Sequence, residues 1–389
     1  MLKKFCLKNY KNFKEEICVD FEKTAGYQFG TDCLSNGLIS KMLIYGKNAT
    51  GKTNLGKALL DIAFTMFGTA ADFRTEGVFL NADSTEQTAS FQYTFQFGTT
   101  EVGYRYTRFS ELRLCEEELR VDEQTIFHCD FASKKYEFSN LQLVGAETAN
   151  TERYVQSLEN AGPFSEPELP FLRWILSNVA LKKDSVLLQL SDYVRRMTRI
   201  SAGNSIAYPT RRNSFYDTLE DPEKLNDFES FLNAMGISCN LILKRLPDGQ
   251  KELYFAHEKL VPFYANASSG TLALADLYQR LISKVGDASF VYLDEFDAFY
   301  HYEMSENVIR FFKQRYPECQ IVMTSHNTNL MTNRIMRPDC LFILSQRGTL
   351  TALCSATERE LREGHNLEKM YISGEFEKNQ PGRCISVSY

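Results

Sequence analysis

Residues 46–53 read Gly46-Lys47-Asn48-Ala49-Thr50-Gly51-Lys52-Thr53. They fit the phosphate-loop pattern G-x-x-x-x-G-K-[ST] at every fixed position. The two glycines let the backbone N–H groups of Gly46 to Gly51 turn inward around phosphate oxygens. Lys52 can reach the β- and γ-phosphates of a nucleoside triphosphate, Thr53 can offer its hydroxyl to Mg²⁺, and Asn54 continues the stretch. The apolar run at 42–45 suits a buried strand, and LGKALLDIAFTMF has the spacing of a helix. Strand, loop and helix in that order are the setting the motif needs, because the helix N-terminus adds partial positive charge where the phosphates lie.

A second constellation lies far along the chain. Phe290-Val291-Tyr292-Leu293-Asp294-Glu295 is an apolar strand ending in two acids. Carboxylates at the end of a buried strand are costly to desolvate without a partner, and Mg²⁺ is such a partner. Asp294 is then the metal ligand, directly or through water. Glu295 is the base that polarises the water attacking the γ-phosphate. ATP and Mg²⁺ are the expected cofactors, with Lys52 and Glu295 in catalytic roles.

The elements around these groups follow from periodicity. Residues 2–8 and 17–21 read as strands. Between 88 and 145, FQYTFQF, GYRYTRF, ELRLCEEELRV, TIFHCDF and KKYEF alternate with period two, predicting an antiparallel meander with a half-buried aromatic face. Glu116-Glu117-Glu118 reads as a solvated strand edge. Residues 151–236 carry helical spacing in LPFLRWILSNVA, SVLLQLSDYVRRM and LNDFESFLNAM, with SAGNS and Pro209 marking a loop. Strands are expected at 237–246 and 251–264. Helix 271–285, strand 289–294, helix 303–316, strand 319–324, helix 328–332 and strand 340–345 then alternate, which implies a mostly parallel sheet. The fold class is α/β with a mixed sheet, an antiparallel meander and a helical insertion. The expected units are a lobe at 1–150 with the phosphate loop and meander, the insertion at 151–236, and a second lobe at 237–389.

Bulk properties narrow the class. The net charge of -6 excludes a general polycation and leaves room only for a local basic patch. Residues 182–212 offer one in Lys182, Lys183, Arg195, Arg196, Arg199, Arg211 and Arg212. The ten cysteines show no CxxC or zinc spacing and read as reduced thiols. Neither a signal peptide nor an apolar membrane span is evident, so a soluble, cytoplasmic protein without membrane attachment is expected.

Two further segments carry a family resemblance. Ala267-Ser268-Ser269-Gly270-Thr271, before an apolar helix, resembles the signature motif of ABC-type ATPases, in the form of the soluble branch with RecF, Rad50 and SMC proteins. The resemblance implies that Ser268, Ser269 and Gly270 bind the γ-phosphate held by a second subunit. Ile321-Val322-Met323-Thr324-Ser325-His326-Asn327 resembles the switch segment of the class, with His326 as the catalytic γ-phosphate sensor. Asp297 falls at the subunit-contacting D-loop. His301 matches an Asp-Glu…His pattern of the soluble branch, with no chemistry assigned. Leu7 to Phe13 resemble the Asn-Phe opening of RecF-like proteins. The glutamine loop has two candidates, Gln92 and Gln96.

As a set these motifs resemble the ABC-type AAA-family ATPases of bacterial phage-defence systems, which include OLD nucleases and the Septu and PARIS ATPases. The tail at 370–376 is similar to a tyrosine–glycine segment of such proteins. The residues after His326 show no second acid-rich αβ domain of the TOPRIM kind, so the resemblance runs to the stand-alone AriA-type ATPases. It implies a homo-oligomer of dimeric units, up to a hexamer. It also implies a separate, AriB-like TOPRIM nuclease as partner and a phage-encoded trigger protein. The basic stretch leaves DNA contact open. A RecF/Rad50-like DNA-repair clamp is the alternative. A transporter subunit fits poorly, because the meander and insertion between phosphate loop and signature are too large.

Overall fold

A computed structural model describes residues 1–68, 78–160, 168–201, 209–282 and 286–377, with the side chains of 209–211 and 377 outside the description. Two sheets organise the chain. The first has seven strands in the order Lys135–Phe138, Gln124–Asp130, Leu114–Val121, Thr100–Arg108, Ala89–Phe97, Leu2–Lys8 and Ile17–Asp20. Every neighbouring pair in it is antiparallel. Period-two alternation buries Phe91, Tyr93, Phe95, Tyr104 and Tyr106 on one face. Phe91 lies opposite Tyr106 and Tyr93 opposite Tyr104, and the Phe91 and Tyr106 rings stack at 5.2 Å. The aromatic stripe is therefore core. Tyr93 Oη donates to Ala58 O at 2.7 Å, which ties this face to the helix Lys52–Phe67.

The second sheet runs Met197–Ser201, Phe290–Asp294, Gln320–Ser325, Lys41–Tyr45, Leu341–Leu344 and Leu350–Ala352. Its first five strands are parallel, and only the last pair is antiparallel. Strands 41–45 and 290–294 are buried at every position, as continuous apolar runs in a sheet covered on both faces should be. The expected mixed α/β fold is observed. The two expected lobes share this sheet, because the phosphate-loop strand sits between strands from the C-terminal part of the chain.

The segment 151–236 departs from a purely helical insertion. It holds helices Thr151–Glu159, Phe171–Asn178, Val186–Arg195, Pro209–Leu219 and Pro222–Ala234, but also the strand Met197–Ser201 at the edge of the parallel sheet. The helical apolar spacing runs into Met197 without a turn signal, and only Met197 and Ile200 of this strand are buried, so periodicity does not mark the change. Pro209 opens a helix instead of a loop, a position where its missing N–H costs nothing. Of the SAGNS stretch, Ser201 ends the strand and the rest lies outside the described residues. The helix expected at 328–332 is a single 3₁₀ turn, Thr328–Leu330.

Two further expectations change. Glu117 is not on a solvated edge: it is fully buried and accepts from Tyr104 Oη at 2.8 Å, Phe171 N at 2.6 Å and Leu172 N at 3.1 Å. It thereby caps the helix Phe171–Asn178, and burial pushes its carboxyl up to about 7. Cys6 and Cys18, directly opposed on adjacent strands, are joined as a disulfide, so not every cysteine is a reduced thiol.

Gly56 shows how tightly the phosphate-loop helix meets the sheet. A Cβ there would lie 2.9 Å from Tyr292 Cζ and closer still to other ring atoms. Alanine favours a helix over glycine by about 1 kcal/mol, yet overpacking costs about 1–3 kcal/mol. Gly56→Ala is expected to lower unfolding stability by up to about 2 kcal/mol in denaturant titration. Gly364→Ala, where a Cβ meets nothing within 4 Å, should change it by less than about 0.5 kcal/mol.

Candidate functional site

Parallel strands deliver their carboxyl ends to one edge. There the chain leaves Tyr45 into Gly46, Asp294 into Glu295, and Ser325 into His326. The phosphate loop thus meets the two motifs that lie more than two hundred residues further along the chain.

The phosphate loop is shaped by backbone conformation. Ala49 and Gly51 have φ of 64° and 100°, the left-handed region that glycine adopts freely. A Cβ on Gly46 would lie 2.5 Å from Thr50 Oγ1, and one on Gly51 would lie 3.1 Å from Phe13 Cζ. Thr50 Oγ1 donates to Lys47 O at 2.9 Å and closes the turn. Lys47, Asn48 and Ala49 form an exposed crest, with Thr53 exposed on the first helical turn. Asn54 Nδ2 donates to Asn12 Oδ1. Asn12 and the buried Phe13 therefore buttress the loop from below, which gives the Asn-Phe opening a mechanical role.

Lys52 is 4% exposed, and its Nζ donates to Gly46 O at 2.7 Å and Lys47 O at 3.2 Å. It lies 3.9 Å from Glu295 Oε1. Burial lowers its pKa, and the Glu295, Asp294 and Asp297 charges oppose that shift.

Thr324, unremarked in the sequence, organises the acids. Glu295 N donates to Thr324 Oγ1 at 2.8 Å, and Thr324 Oγ1 donates to Asp294 Oδ1 at 3.3 Å. Glu295 sits at φ 50° and is half-exposed, so a non-glycine residue in the left-handed region carries the candidate base. Asp294 is buried, and its Oδ2 lies 3.2 Å from Arg199 Nη1. Tyr292 Oη donates to Lys52 O at 2.6 Å, joining the acid-pair strand to the start of the helix.

Asp297 is buried and accepts from Ser325 Oγ at 2.7 Å, while its Oδ1 has no partner among the described residues. Burial raises its pKa, against the Ser325 hydrogen bond and the nearby His326. His326 itself is exposed at the end of its strand. His301 precedes the helix Tyr302–Arg315 and makes no side-chain cap.

The signature segment does not join this cluster. Ser268 caps the helix Ser269–Arg280, accepting from Thr271 N at 3.1 Å. Ser268 and Ser269 are exposed, and a Cβ on Gly270 would lie 3.1 Å from Phe299 O, just beyond Asp297. No bond links the segment to the phosphate loop among the described residues.

Other candidates disperse. Gln92 lies opposite Cys6 and Arg105 in the meander, and Gln96 Nε2 donates to Gly98 O at 3.0 Å. Neither glutamine bonds to the site among the described residues. The cations of the basic stretch have different partners. Lys182 pairs with Glu147, Arg196 with Asp192 at 2.6 Å, and Arg199 turns into the acid pair. Arg195 lies over the Phe67 ring at 4.1 Å and Arg212 over Tyr264 at 4.3 Å. Lys183 is exposed, and the Arg211 side chain lies outside the described residues.

A nucleotide and metal fit these residues. The loop's glycines are too crowded for side chains, a buried lysine lies at the loop, and an exposed threonine hydroxyl stands on the adjoining helix turn. Thr53 and Asp294 would hold Mg²⁺, which when bound neutralises charge on the transferring phosphoryl group.

Phosphate loop, acid pair and switch histidine on one edge of a parallel sheet, with a signature-type helix cap apart from them, define an ABC-type P-loop ATPase fold. The family profile described as "AAA domain, putative AbiEii toxin, Type IV TA system" matches residues 41–332. The match covers well over half of the sequence, and the chain belongs to that family. Similar solved structures include an SMC head bound to the C-winged helix domain of ScpA, at 15% identity and TM-score 0.46, covering 90% of this chain and 97% of that one. Another is the SMC head domain from Thermotoga maritima, at 14% identity and TM-score 0.42, covering 90% and 98%. A third is an SMC head with an extended coiled coil bound to the C-terminal domain of ScpA, derived from Pyrococcus furiosus, at 16% identity and TM-score 0.45, covering 90% and 96%. No curated protein matches the sequence. No helix among the described residues is long and apolar enough to cross a membrane.

Thr324→Val keeps the shape of the strand and removes the hydroxyl shared by Asp294 and the Glu295 N–H. It should cost about 1–3 kcal/mol of stability and lower ATP turnover about tenfold, read by steady-state phosphate release. Turnover at the wild-type rate would show that the hydroxyl does not position the acids.

Proposed function

We propose that the chain is an ATP-hydrolysing switch whose site is completed by a second copy, and that it serves as the sensor and scaffold of an anti-phage system. One observation carries the two-copy reading. Ser268 and Ser269 are exposed at a helix N-terminus and bond to no part of their own phosphate loop among the described residues. The phosphate loop is also exposed at its crest, so each half of an ATP sandwich is presented outward. Lys52, Thr53 and Asp294 bind the nucleotide and metal, Glu295 directs water at the γ-phosphate, and His326 reads its presence. That pairing gives dimeric units, and a hexamer rests on the motif resemblance alone.

The defence role rests on the motif resemblance to AriA-type ATPases and is supported by the AbiEii toxin named in the family description. In this reading a phage-encoded protein is the trigger and a separate TOPRIM nuclease is the partner. A DNA clamp finds less support, because the protein is acidic overall, with a net charge of -6.

Glu295→Gln should bind ATP, form stable dimers or larger assemblies by light scattering, and hydrolyse at least about a hundredfold more slowly. Ser268→Arg should keep ATP affinity within about threefold and lose both assembly and hydrolysis, as expected for a group acting only across the subunit contact. Full hydrolysis by the Ser268→Arg protein would overturn the shared site. For the defence role, co-expression with a neighbouring TOPRIM nuclease should protect cells from phage, and Glu295→Gln should abolish that protection.

A further inference from the structure

We propose that Arg199 is a cation of the nucleotide site, held on Asp294 until a divalent metal takes that carboxylate and then directed at the triphosphate. This deepens the ATP-site reading and rests on it. Arg199 lies on the strand Met197–Ser201, in parallel register with the acid-pair strand so that Arg199 faces Tyr292 and Ser201 faces Asp294. Its Nη1 donates to Ser201 Oγ at 2.9 Å and Asp294 Oδ2 at 3.2 Å. The side chains of the pair are 17% and 6% exposed, so the ion pair is little screened by solvent.

Asp294 cannot serve both cations equally. A divalent metal bound to this carboxylate, directly or through one water, would sit within a few ångströms of the guanidinium, and like charges at that range in a half-buried site repel strongly. One must yield. Arg199 is the mobile partner, because Asp294 is fixed by its strand and by Thr324 Oγ1. Only Nη1 of the guanidinium is engaged among the described residues. Its other N–H groups donate to no atom of the described residues, and they have the forked geometry that suits phosphate oxygens.

The local charge gives the released arginine a destination. Lys52 lies 3.9 Å from Glu295 and Arg199 lies 3.2 Å from Asp294. Two cations thus stand against two acids. A triphosphate with one Mg²⁺ adds about two negative charges to that balanced set. A cation displaced from Asp294 is drawn to them. If Arg199 served only to neutralise a buried carboxylate, its loss would lower stability without touching ligand affinity.

The test compares wild type, Arg199→Ala and Arg199→Lys on two binding constants that need no turnover. The first is Mn²⁺ binding to nucleotide-free protein, read by electron paramagnetic resonance. The second is Mg²⁺–ATPγS binding, read by calorimetry. Arg199→Ala should bind Mn²⁺ about threefold or more tightly and Mg²⁺–ATPγS about tenfold more weakly. Arg199→Lys, which keeps the charge but not the fork, should lose about threefold in nucleotide affinity and decides the question if the alanine variant does not fold. Nucleotide affinity within twofold of wild type in every folded variant overturns the proposal, as does unchanged Mn²⁺ binding. Lys52→Ala separates the two readings. If wild type fails to bind ATPγS, or Lys52→Ala binds it fully, the ATP site itself is wrong. If Lys52→Ala loses binding while Arg199→Ala keeps it, only the role of Arg199 falls.

Discussion

In a parallel sheet every strand ends on the same side, and the chemistry of this molecule depends on that constraint. Strands 290–294, 320–325 and 41–45 are neighbours in the sheet, and the last is far from the other two in the sequence. Their common direction brings the phosphate loop, the acid pair and the histidine to one edge without any of them reaching far. The registry is then locked by short polar links: Thr324 between the histidine strand and both acids, and Tyr292 Oη against the first carbonyl of the loop helix. The missing Cβ of Gly56 lets that helix approach the Tyr292 ring closely enough for the second link.

The parts of the site that were legible in the sequence are those whose neighbours in the chain are also their partners. The phosphate loop is local, and Asp294-Glu295 announces itself by placing charge at the end of an apolar run. What stayed hidden was non-local. The strand Met197–Ser201 follows a helix directly and buries only two side chains, so Arg199 reads as one more surface cation until pairing with the acid-pair strand turns it inward. Cys6 and Cys18 meet only through strand register. Thr324 looks like any threonine in a strand until Glu295 N is placed above it.

Glu117 is a different failure, because its signal was present. Period two puts residues 117, 119 and 121 on one face, and Leu119 and Val121 are buried there. The run of three glutamates masks this by resembling a solvated edge. Three donors from Tyr104 and the Phe171–Asn178 helix make the position tolerable for a carboxyl group, and none of them is near it in sequence. Compositional rules describe average solvent exposure, while alternation describes direction, and here direction decided.

The hydroxyl of Ser325 has a consequence beyond local bonding. It receives the amide of Asn327 at 2.9 Å and gives its own proton to Asp297 at 2.7 Å. The turn that carries His326 and the loop that follows Glu295 therefore share this oxygen, beside the links that Thr324 makes to Glu295 and Phe296. Neither segment can tilt alone without breaking a buried bond, and the second oxygen of Asp297 has no alternative bond among the described residues to soften the loss. A rotation of the histidine turn alone would strain the bond to Asp297, so the shared hydroxyl couples the position of the turn to that of the acidic loop.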